Sequence, residues 1–77
     1  MTTLEGRLYN FDGNSFNRAL RESIKRFRAK TGLEPTDIFV NEFQFKEYDP
    51  VEGIELHGVR LIFLNQIWVV RRVEDEK

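Results

Sequence analysis

Residues 14–32, NSFNRALRESIKRFRAKTG, form the segment that most constrains the fold, because its pattern fits an amphipathic helix and little else. At 100° per residue with Phe16 at zero, Phe27 falls near 20°, Leu20 near 40° and Ile24 near 80°. Ser23 and Ala19 border this apolar face, small enough to let a sheet approach closely. On the same wheel Arg28, Arg21, Lys25 and Arg18 fall between roughly 120° and 200°, nearly opposite. No internal Gly, Pro or β-branched run opposes the pattern. Asn14 or Ser15 is the expected N-cap, Gly32 closes the other end in the left-handed conformation, and Pro35 prevents continuation.

One helix must therefore serve the whole core. Seventy-seven residues allow a single domain, 1–77, and a chain of this size buries only about 60% of the surface its unfolded form exposes. Residues 37–45, DIFVNEFQF, alternate as a strand, with Phe39, Phe43 and Phe45 sharing a face with Asn41 and with Ile38 and Val40 behind. Residues 46–53 carry the Tyr-Asp-Pro signal of a hairpin loop. Residues 54–64 read as extended, with a bulge or break at Gly58. Asn65-Gln66 turns the chain into a strand over 67–73, and 73–77 is expected to be a frayed charged tail. Residues 4–11 make a weaker strand, because Gly6 and Asn10 suit strands poorly, and Asp12-Gly13 turns into the helix. The order is β-α-β-β-β: an α+β fold, one amphipathic helix on a three- or four-stranded antiparallel sheet.

That architecture leaves a surplus. Val59, Leu61 and Phe63 alternate with Ile62 and Leu64, and Ile67 and Val69 alternate with Trp68 and Val70, so both sheet faces look apolar. A single helix covers one. Ile62, Leu64, Trp68 and Val70 are the residues expected at an interface, with a second copy or another protein as partner.

Charge supplies the second candidate surface. Residues 1–32 hold seven Lys/Arg against three Asp/Glu, and residues 33–77 hold five against ten. The row Arg18, Arg21, Lys25 and Arg28 would suit a phosphate backbone. A solvated face pairing with acidic groups is the plainer reading, and the near-neutral net charge of −1 favours it.

Catalytic and metal chemistry find little support. There are no cysteines, one His and two serines. Ser15 and Ser23 have plain structural roles and lack an adjacent base. His57, two residues from Glu55, reads first as a cross-strand polar partner and only second as a general base. Glu52, Glu55 and His57 lack the spacing of a metal site, and no glycine stands in a phosphate-binding motif. No cofactor or metal is expected. The N-terminus lacks the basic start and apolar core of a signal peptide, and no apolar run could span a bilayer, which points to a cytoplasmic setting. The expectation is a non-enzymatic interaction or structural module that self-associates through a sheet face. The alternative is a nucleic-acid binder using the helix cations.

Overall fold

The structure is a computed structural model that describes residues 2–12 and 15–74. The helix α1 runs Phe16–Thr31 between strands β1 (Thr2–Asn10) and β2 (Asp37–Asn41), followed by β3 (Glu55–Val59) and β4 (Gln66–Glu74). Ser15 stands at the N-cap without a side-chain capping bond, and Asn14 lies outside the described residues. Gly32 closes the helix at φ 73°, its N–H donating to the Arg28 carbonyl at 2.8 Å. The inward face is Leu20, Ser23, Ile24 and Phe27. They meet Ile38 and Val40 of β2 and Ile67 and Val69 of β4, which are fully buried.

The sheet is four-stranded, in the order β1-β4-β2-β3. β4 pairs antiparallel with both neighbours, but β2 and β3 are parallel, so the sheet is mixed rather than purely antiparallel. The physical reason lies in residues 42–54, which do not make a hairpin. Asn41 stops the strand by accepting the Phe43 N–H on its own side chain at 2.8 Å, a local bond that competes with a ladder. A short 3-10 turn, Phe45–Glu47, follows. The chain then returns to the start of β2, where the Glu55 N–H donates to the Thr36 carbonyl at 2.9 Å. A parallel pair needs a connection of about a dozen residues, and this segment provides it.

The same segment covers the part of the helix-side face that α1 cannot reach. Tyr48 is buried against Phe16, ring centroids 5.4 Å apart and edge-on, and Phe16 meets Phe11 the same way. Asn17 ties the segment to the helix, accepting the Asp49 N–H at 2.6 Å. Gly58 is neither bulge nor break but an ordinary β3 residue, and a Cβ there would meet Phe45 Cβ at 2.8 Å. β1 is longer than the sequence suggests, and Val73 and Glu74 are β4 residues paired with Thr3 and Thr2 rather than part of a tail. Residues 75–77 lie outside the described residues.

Tyr48 carries a testable consequence. Its hydroxyl is buried and makes no hydrogen bond among the described residues, and burial pushes its pKa up to about 12. Tyr48→Phe removes an unmatched polar atom and should stabilise the fold by about 1 kcal/mol in urea unfolding. The raised value also means that stability falls as pH climbs from 10 towards 12 in the unchanged chain, and this loss should vanish in Tyr48→Phe.

Candidate functional site: the uncovered sheet face

Strand alternation sends the side chains of Trp68, Val70, Asp37, Phe39 and His57 to the face away from α1, with Leu4, Gly6 and Leu8 of β1. The register lines up Leu8, Trp68, Phe39 and His57 as one row across all four strands. Phe39 stacks on His57 with centroids 4.6 Å apart at 18° between planes, and its other neighbour is the Trp68 ring at 5.2 Å. The connector 60–65 folds against one end of this face, where Asn41 Nδ2 donates to the Ile62 carbonyl at 2.8 Å. Over the rest, no helix or loop of the described residues forms a second layer. Leu4 and Leu8 are 51% and 49% exposed, and Phe39, His57 and Trp68 are half-buried.

A polar cluster adjoins the aromatic row. The Asp37 carboxylate, 6% exposed, takes Arg72 Nε on Oδ1 at 2.8 Å and His57 Nε2 on Oδ2 at 2.8 Å. The Thr36 hydroxyl donates to Oδ1 at 2.7 Å. Burial alone would push the Asp37 pKa up, but the hydrogen bonds from Thr36, His57 and Arg72, with the guanidinium charge, outweigh it and hold the carboxyl below its usual value. An ionised carboxylate only accepts, so His57 carries its proton on Nε2. Glu55 Oε1 lies 3.7 Å from the same nitrogen.

Asp37, Glu55 and His57 each bring one ligand atom within 4.8 Å of the others. Both Asp37 oxygens, however, are already engaged, one by a cation. The cluster reads as a charge-balanced tie between β2, β3 and β4. The cluster's hydroxyl, that of Thr36, donates to Asp37 rather than to His57. Asp37 was invisible as a partner of His57 because only the parallel register of β2 and β3 brings the two together. The Glu52 of the sequence-based cluster is replaced by Asp37.

The four residues expected at an interface divide. Val70 is fully buried and Ile62 nearly so, within the chain itself; Trp68 stays half-buried on the uncovered face, and Leu64 is exposed. Leu64 does not belong to the face, because the chain leaves the sheet after Val59. It joins exposed Leu61 and Phe63 in the 60–65 connector. Leu4 and Leu8 complete the uncovered face, a contribution hidden in the sequence by the weak strand signal of β1.

Gly6 has a visible role here. A Cβ at this position would lie 2.5 Å from Trp68 Nε1, so the indole rests across the glycine backbone. Gly6→Ala must displace the indole, and the emission maximum of Trp68, the one tryptophan, should shift.

The cations take the other side of the molecule. Arg18, Arg21, Lys25 and Arg28 are all exposed on α1. Arg28 Nε pairs with Glu34 Oε1 at 2.8 Å, and Arg21 borders a groove of about 310 Å³ with Asp49 and Glu52. The whole sheet separates this row from the stacked rings, so one nucleic-acid strand could not lie on the cations and stack on Trp68 or Phe39 together. No helix among the described residues is long and apolar enough to cross a membrane. No protein-family model, curated protein or solved structure matches the chain.

Proposed function

We propose that this protein is a non-enzymatic interaction module that associates with itself through the face of its sheet opposite α1. The observation that carries the reading is the row Leu8, Trp68, Phe39 and His57, aromatic at its centre and without a second layer. Rings of this kind concentrate in the cores of protein interfaces. A chain this small also gains the most from sharing a core. The Asp37–Arg72–His57 cluster at the border supplies polar contacts of the sort found at an interface rim.

Trp68 reports on this surface directly. Its emission should move to the red on dilution from hundreds to below about one micromolar, as micromolar association is broken. An emission spectrum that stays fixed over the whole series, with Trp68→Glu folding and sedimenting like the unchanged chain, contradicts the proposal. Retention on a nucleic acid that weakens with salt and is lost in the Arg21→Glu, Lys25→Glu double variant would favour the helix surface instead.

A further inference from the structure

We infer that the second copy joins through β1, whose free edge pairs antiparallel with the same edge of another chain about a two-fold axis at Gly6. This rests on the self-association reading but places the contact at the sheet edge, so that of the uncovered face Leu4, Leu8 and Trp68 approach the partner while Phe39 and His57 stay open. β1 is nine residues long and borders the sheet, with β4 as its one neighbour. Its pairing with β4 runs without a bulge from Thr2 to Asn10, and it contains no Pro or Lys. An edge without those guards is a template for another strand.

One hydrogen bond fixes which backbone groups point outward. The Phe11 N–H donates to the Asn65 carbonyl at 3.0 Å, one step beyond the Asn10–Gln66 pair. Hydrogen-bonded residues alternate along an antiparallel ladder. Tyr9, Arg7 and Glu5 therefore turn their N–H and C=O toward β4, and Leu8, Gly6 and Leu4 turn theirs out of the sheet.

Around Gly6 the sequence LEGRL complements itself when reversed. With Gly6 opposite its own copy, Glu5 faces Arg7 and Leu4 faces Leu8, each twice by symmetry. Glu5 and Arg7 are exposed, and their side chains make no ion pair or hydrogen bond among the described residues. They would meet at non-hydrogen-bonded positions, where facing side chains are closest. Leu4 and Leu8, each about half exposed, would cover one another on the uncovered face. The Trp68 indole already lies across Gly6, so two indoles would approach the axis over a pair of residues without side chains. Neighbouring registers are disfavoured: a slip of two residues sets Arg7 against Arg7 one way and Glu5 against Glu5 the other.

The test uses the full chain, Glu5→Arg, Arg7→Glu, both changes together, and an equimolar mixture of the single variants, all followed by sedimentation velocity. Each single variant sets like charges face to face and should weaken its homodimer roughly tenfold or more. The mixture should recover a one-to-one heterodimer, since every facing pair is again opposite in charge, and the doubly changed chain should dimerise like the original. A mixture that stays monomeric, or single variants that dimerise undiminished while folded by circular dichroism, overturns the edge pairing. If the unchanged chain is a dimer that Trp68→Glu breaks and the charge changes leave intact, the face proposal survives and β1 pairing falls. If the unchanged chain is a monomer, both fall.

Discussion

Phe27→Ala is expected to cost about 4 kcal/mol, the usual result of truncating a fully buried aromatic ring. The side chain is completely enclosed between α1 and the sheet, in the cluster formed by Leu20, Ile24, Ile38, Val40, Ile67 and Val69. A domain of this length has roughly 4–12 kcal/mol of stability in total. The loss is about a third of the stability at the high end of that range and all of it at the low end, so the urea midpoint should fall by about a third or more. A loss below about 1 kcal/mol would mean that the helix is not seated as described, because the cavity term alone exceeds that. Arg21→Ala on the opposite side of α1 is the control and should fall within about 0.5 kcal/mol of the original.

The second large effect belongs to Asp37. Its carboxylate receives hydrogen bonds from Thr36, His57 and Arg72, and these hold three strands together on the uncovered face. Asp37→Ala should cost about 2–3 kcal/mol, less than breaking a fully buried ion pair because half-exposed Arg72 and His57 can rehydrate. The pH dependence has a defined sign. A carboxyl held below its ordinary value of 3.8 contributes stability that is complete above that pH and lost as acid titrates it in the folded state. Urea midpoints should thus fall as pH drops below about 4, and the part of that fall due to Asp37 should be missing in Asp37→Asn. Equal acid sensitivity in both proteins would show that the cluster holds no such charge.

The helix was legible because its signals are local and agree: a stripe at 3.6-residue spacing, a row of cations opposite, and a glycine where the left-handed residue was needed. The α+β class followed from it. Strand direction was not legible. Whether β3 runs with β2 or against it depends on the path of residues 42–54, and Asp49-Pro50 marks a turn without fixing how far the chain travels before it pairs. The end of β2 was misplaced for a related reason: Phe43 and Phe45 continue the alternation of Phe39, but the Asn41 side chain bonds the following backbone and takes them out of the sheet. Gly6 weakened the strand signal of β1, although the Trp68 indole requires a glycine there. The uncovered face was thus recognised by Trp68, while half of the residues assigned to it are buried by the chain's own packing and two of those that matter, Leu4 and Leu8, lay in the strand with the weakest signal.

Self-association through that face is read from the mass of the particle in sedimentation equilibrium. At about 100 µM the unchanged chain should sediment as a species twice the mass of one 9.2 kDa chain, and Trp68→Glu, folded by circular dichroism, should sediment as a single chain. A unit mass of 9.2 kDa for the unchanged protein at that concentration would contradict it.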